Sequence, residues 1–87
     1  MTKQLIVNAD DYGRTPSVSG GIRHAHLRGV VTTTTAMMNM PSVENDIRLA
    51  LEECPNLCLG VHLVLTAGRP VLPPERVPSL AASDGGF

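Results

Sequence analysis

Hydrophobic positions along the chain fall into three short runs separated by two stretches of helical spacing. The first run, Leu5-Ile6-Val7, passes through Asn8-Ala9 into Asp10-Asp11-Tyr12-Gly13. A continuous apolar run closed by a turn residue is the pattern of a strand buried on both faces. Thr15-Pro16-Ser17 carries helix-start signals, and Val18, Ile22, Ala25 and Leu27 keep a helical spacing up to Arg28-Gly29. From Val30 to Asn39 the chain is rich in β-branched residues, which predicts a second strand. Pro41-Ser42 then opens a second helix. Val43, Ile47, Leu49, Ala50 and Leu51 form its apolar side, Glu44 and Asp46 lie in its first turn, and it stops before Pro55. Leu57 to Leu65 reads as a third strand, apolar on both faces apart from His62.

The order β-α-β-α-β predicts an α/β fold with a parallel sheet and right-handed crossovers. Beyond Thr66 the pattern breaks, because Gly68, Pro70, Pro73, Pro74 and Pro78 interrupt regular structure and Asp84-Gly85-Gly86 is a turn signal. The expected organisation is one partial domain over 1–87, with a βαβαβ unit over 1–66 and a Pro/Gly-rich loop or tail over 67–87. Two successive right-handed crossovers put both helices on one side of the sheet. The other side is then open, and further strands, a partner or a second copy should cover it. The arrangement is that of the opening portion of a barrel.

Composition narrows the partners. Seven basic and eight acidic residues are mixed along the 87, for a formal charge of −1, so no basic footprint for nucleic acid is present. Tyr12 and Phe87 are the only aromatics, which leaves no stacking platform for single strands. No apolar stretch is long enough to span a bilayer, and Met1-Thr2-Lys3-Gln4 leads into the first strand without a signal-peptide pattern. A cytoplasmic protein is expected. Cys54 and Cys58 have neither redox nor zinc-knuckle spacing and read as reduced structural thiols. Met37, Met38 and Met40 read as core filling.

Chemistry concentrates at the strand ends. Strand one ends in Asp10-Asp11, strand two in Asn39, and strand three carries His62 near its carboxyl end. In a βαβαβ unit these ends share one side of the sheet, so the groups converge although about 25 residues separate them in sequence. Adjacent side chains on an extended strand point to opposite sides, so Asp10 and Asp11 serve one pocket only where the backbone is already turning. Carboxylate plus imidazole suits a divalent metal, and a second carboxylate can handle a proton. The competing reading is a solvated strand-to-helix connection with Asp as a turn or capping residue. Backbone N–H groups of Tyr12 and Gly13 are candidate donors to an oxyanion. His24 and His26 lie two apart on the first helix and are expected to be surface or packing residues.

Asn8-Ala9-Asp10-Asp11-Tyr12-Gly13, Thr33-Thr34-Thr35-Ala36-Met37-Met38-Asn39 and Leu59-Gly60-Val61-His62-Leu63-Val64-Leu65-Thr66 together resemble the YdjC-like carbohydrate deacetylase family. Gly68-Arg69-Pro70-Val71-Leu72-Pro73-Pro74 with Asp84-Gly85-Gly86-Phe87 further resembles the branch associated with hopanoid biosynthesis. The resemblance implies a modified (β/α) TIM-like barrel that uses a divalent metal ion, zinc or magnesium, to remove N-acetyl groups from amino sugars or glycolipids. It also implies Asp10 as the catalytic general base, Asp11 and His62 as metal ligands, and Asn39 as a residue at the substrate or in the loop beside it. Members of that family are much longer, and their second histidine ligand falls beyond Phe87.

The resemblance therefore implies the front part of a deacetylase, acting on an N-acetylated sugar or glycolipid and completed by further chain or by a homo-oligomer. An ending just after a turn signal, in mid-loop, has the look of truncation. The alternative is a non-catalytic remnant or interaction module that folds with a partner or as an oligomer.

Overall fold

The structure is a computed structural model and describes residues 2–87. Met1, the first residue of the stretch expected to lack a signal-peptide pattern, lies outside the described residues. The elements are β1 (Asn8–Tyr12), α1 (Pro16–Arg28), β2 (Thr33–Ala36), α2 (Val43–Glu53) and β3 (Cys58–Val61), followed by a short 3₁₀ turn at Pro74–Arg76. The three strands form one parallel sheet in the order β1-β2-β3. This is the α/β class and the β-α-β-α-β order expected from the hydrophobic pattern.

Local chemistry sets the helix limits. Thr15 has extended backbone and its hydroxyl accepts from the Val18 amide at 3.1 Å, while Pro16 occupies the first turn, where no N–H is needed. Removing such a cap costs about 1 kcal/mol. In α2, Glu44 and Asp46 lie in the first turn, and the Cys54 amide closes the last turn on the Ala50 carbonyl just before Pro55.

Tyr12, Ile22, Ala36, Val43, Ala50, Cys54 and Leu57 form the core, with Met40, Ile47 and Leu59 packed against it. Met37 is also buried, but Met38 is exposed, so only part of the methionine cluster fills the core. His26 places Nδ1 2.8 Å from the Val31 carbonyl and ties the end of α1 to the entry of β2. Both cysteines are free thiols, Cys54 buried and Cys58 exposed.

The strands are shorter than their apolar runs. Leu5 and Leu63 are 82% and 87% exposed, and Ile6, Val61 and Leu65 are exposed as well. These residues do not sit in a strand covered on both faces, because both helices and the core lie on one side of the sheet. Pairing nevertheless runs past the strand limits. Thr32 and Thr33 donate to the Val7 carbonyl before β1, and His62 donates to the Ala36 carbonyl after β3.

Candidate active site at the strand ends

Between Ala9 and Tyr12 the first strand has one residue more than its partner. Ala9 pairs with Thr34 and Tyr12 with Ala36, so three steps on β1 face two on β2. That extra residue is a β-bulge, a device that re-aims side chains at a strand end. Asp11 takes it up with φ 70, a left-handed conformation that costs a side-chain-bearing residue about 1–2 kcal/mol. Here the chain is already turning within the acid pair, and the two carboxylates have separate partners.

Asp11 faces β3. Its amide donates to His62 Nδ1 at 3.3 Å, and its carboxylate Oδ1 lies 3.4 Å from the same nitrogen. The other oxygen, Oδ2, is 3.5 Å from the guanidinium of Arg14, whose amide closes a turn on the Asp11 carbonyl. Asp10 is exposed, and its Oδ1 accepts from the Asn8 side-chain amide at 2.9 Å. Asn8 in turn accepts from Thr33 at 2.7 Å, so Asp10 continues a polar row on the open side of the sheet.

Asp11 and His62 are thus brought into contact from opposite edges of the sheet. The donor set suits a divalent cation. Two ligand atoms each about 2.1 Å from a tetrahedral ion lie about 3.4 Å apart, which is the separation of Asp11 Oδ1 and His62 Nδ1. Among the described residues no group of three His, Cys, Asp or Glu side chains gathers at one point. The pair alone does not make a metal-holding group.

Asn39 does not join them directly. Its side-chain nitrogen donates to the carbonyls of Ala67 at 2.8 Å and Arg69 at 2.9 Å, pinning the start of the tail to the end of β2. Its Oδ1 is buried without a hydrogen-bond partner among the described residues. Asn39 and His62 both line an open apolar cavity of about 280 Å³, whose walls include Met38, Val61, Leu72, Leu80 and Phe87. The tail closes on itself beside it, with the Phe87 amide donating to the Gly68 carbonyl at 3.0 Å.

Behind the acid pair lies a buried polar network that the sequence reading missed. Asp46 is 1% exposed, and its Oδ2 accepts from Ser19 at 2.8 Å and from Ser42 at 3.0 Å. Ser19 itself accepts from the Gly13 amide at 2.8 Å. Gly13 is therefore committed to Ser19 and is not available as an oxyanion donor, against the expectation from its place after the acids. Tyr12 turns its ring into the core, where its hydroxyl donates to the Asp46 carbonyl and accepts from Arg23 at 3.0 Å. Burial pushes the Tyr12 phenol above its ordinary value, against the opposing pull of the Arg23 hydrogen bond and charge. The signal for Asp46 was present in the phase of α2. It occupies the position between Val43 and Ala50 that the apolar stripe reserves for the core, not the solvent.

The parallel α/β unit thus sets a bulged aspartate against a histidine across the carboxyl ends of its outer strands. The chain belongs to the YdjC-like protein family, which it matches over residues 4–87. It is 49% identical to a carbohydrate deacetylase of Enterococcus faecalis, over 98% of this chain and 33% of the relative, and 50% identical to one of Brevibacillus brevis, over 97% and 33%. It superposes with a TM-score of 0.96 and 48% identity on a crystal structure from Enterococcus faecalis V583, given a provisional cellobiose-phosphate cleavage role, covering 100% of this chain and 34% of that one. The chain spans about a third of the length of the curated relatives it matches.

Proposed function

We propose that this chain carries the strand-end portion of a metal-dependent hydrolase that removes N-acetyl groups from an amino sugar or glycolipid. The carrying observation is the contact of Asp11 with His62 beside Asp10, at the carboxyl ends of the outer strands of a parallel sheet. Relatives at 49% and 50% identity are named carbohydrate deacetylases, which supports the reaction class. Further chain would complete the barrel and supply the missing ligand. A cytoplasmic location belongs to the same reading, and no helix among the described residues is long and apolar enough to cross a membrane.

Asp11 Oδ1 and His62 Nδ1 would hold a divalent ion, zinc or magnesium, with Nδ1 exchanging the Asp11 amide for the ion. Bound there, it would supply polarisation of the amide carbonyl and acidify a water. Asp10 accepts the proton that water loses as it adds to the carbonyl carbon. Since Oδ1 of Asp10 is held by Asn8, the proton goes to Oδ2. The C–N bond then breaks, the sugar amine takes up a proton, and acetate leaves. Asn39 would act beside the substrate by holding the tail through its nitrogen, and its buried Oδ1 would meet a substrate N–H or O–H only on displacement of the surrounding side chains.

Acetate release from N-acetylated chitooligosaccharides, measured for the complete protein with and without a chelator, tests this reading. Release that stops on chelation and returns with zinc or magnesium is the expected result. No release under any metal sinks it and leaves the second reading, a non-catalytic module. That reading draws on the exposed apolar residues Leu5, Ile6, Leu63 and Leu65 as a surface that calls for a covering partner.

A further inference from the structure

Asp46 touches neither Asp11 nor His62, yet the two residues that follow Asp11 are both anchored on it. Tyr12 reaches the Asp46 carbonyl through its hydroxyl, and Gly13 reaches the Asp46 carboxylate through Ser19. We infer that Asp46 is a positioning residue, whose buried carboxylate, acting through Ser19, locks the turn at Gly13 and so sets Asp11 against His62.

The polarity of the network carries the argument. A serine hydroxyl has one proton to give. Ser19 gives it to Asp46 Oδ2 at 2.8 Å, and this leaves an oxygen lone pair for the Gly13 N–H at 2.8 Å. Ser42 approaches both the Gly13 carbonyl at 3.3 Å and Asp46 Oδ2 at 3.0 Å, and its single proton favours the closer, charged acceptor. Among the described residues the Asp46 carboxylate makes no ion pair, since Arg23 at this end of the core pairs with Glu53 at 3.5 Å. Both hydroxyl protons are therefore directed by one carboxylate oxygen.

Mechanical consequences follow from the backbone. Gly13 has φ 89, and Asp11, two residues earlier, has φ 70. A turn with two left-handed residues persists only where its surroundings over-determine it. Three anchors do so here: Gly13 on Ser19, Tyr12 on Asp46, and the Tyr12 carbonyl on the Met37 amide at 2.8 Å. The Tyr12 anchor uses the main-chain carbonyl of Asp46, so only the Gly13 anchor depends on the Asp46 carboxylate, through Ser19. Without that carboxylate, Ser19 is free to rotate its proton away, the Gly13 amide loses a defined acceptor, and the bulge that aims Asp11 at His62 relaxes.

This inference rests on the hydrolase reading for its activity readout but not for its structural one. The variants are Asp46→Asn, which keeps the shape and removes the charge, and Ser19→Ala, which cuts only the link to Gly13. Both are made in the complete protein and studied well below the melting temperature. Zinc affinity by calorimetry, kcat and KM for deacetylation, and the ¹⁵N shift of the His62 ring are compared with wild type. The expected result is a loss of about tenfold or more in zinc affinity and kcat, with KM little changed. The His62 ring nitrogen should shift in both variants, and the double variant should be no worse than the more severe single one. A folded Asp46→Asn protein with a lower melting temperature but unaltered zinc affinity, kcat and His62 shift overturns the inference. If Asp46→Asn does not fold, Ser19→Ala decides by the same readouts. If wild type neither binds zinc nor releases acetate, the hydrolase reading has failed, and the His62 shift alone decides this one.

Discussion

The amide of Asp11 donates to His62 Nδ1 at 3.3 Å across 51 residues of sequence, while the carboxylate of the same aspartate lies 3.4 Å from that nitrogen. The two contacts make opposite demands. Nδ1 has one in-plane lone pair, so it either accepts the amide proton or, carrying a proton, faces the carboxylate, and it cannot do both at once. The bulge supplies both groups from one residue. It brings the Asp11 backbone and side chain to the same edge, which a regular strand cannot do for consecutive groups.

On the proposed ligation, Asp11→Asn and His62→Ala should each weaken divalent-metal binding by more than about 100-fold, because each would remove one of few protein ligands. Calorimetric titration of the complete protein with zinc checks this. Unaltered affinity in both variants would return Asp11 to the role of a turn residue paired with Arg14.

Asp10→Asn should separate proton transfer from ligation. Its Oδ1 contact with Asn8 can be kept by the isosteric amide, so metal affinity should stay within about twofold while kcat falls by about 10²–10⁴. Loss of metal affinity in this variant, equal to that of Asp11→Asn, would make Asp10 a ligand instead.

Much of this was legible in the sequence because helix limits are local chemistry. Thr15-Pro16 and Cys54-Pro55 mark where helices start and stop irrespective of the rest of the fold. The convergence of Asp11 and His62 follows from topology, since parallel strands share a carboxyl end. Strand length was not legible, because Leu5-Ile6 and Leu63-Leu65 look like buried strand whether or not anything covers the second face of the sheet. Nor was the commitment of the Gly13 amide to Ser19, which depends on α1 and α2 packing together. Asp46 is the instructive case. Its first-turn position suggested a helix-dipole role, and only its phase in the apolar stripe hinted at burial.

Gly13→Ala should be severely destabilising for two independent reasons. A Cβ there would lie 2.5 Å from Val43 Cγ2, and the backbone has φ 89. Strain and overpacking together suggest a loss of about 2–4 kcal/mol, read from the urea midpoint at constant m-value. Adding Val43→Ala should return only part of the steric share, since Cβ of residue 43 stays 2.9 Å from the added Cβ, so the double variant stays less stable than Val43→Ala alone. A Gly13→Ala protein as stable as wild type would refute the left-handed turn.

Cys54 and Cys58 should differ sharply toward a thiol reagent in the native state. Cys58 is exposed, whereas Cys54 is buried and its thiol is pushed above its ordinary value of 9.0, first by burial, with the Arg23 charge opposing and the Glu53 charge adding to the rise. One thiol should therefore react rapidly and the second only as the protein unfolds. The same shift has a pH consequence. A group whose pKa is raised on folding keeps its proton in the native state while the unfolded chain loses it, so its stabilising share is complete below the unfolded value and fades as pH rises past it. Tyr12, raised mainly by burial from 10.0, acts in the same direction. Stability should accordingly fall as pH climbs above about 9, and Cys54→Ala should make that fall shallower between pH 9 and 10. Denaturant midpoints measured at pH 7, 9 and 10 for wild type and Cys54→Ala check both statements. Two equally fast thiols together with identical pH profiles would show that Cys54 does not sit in the core.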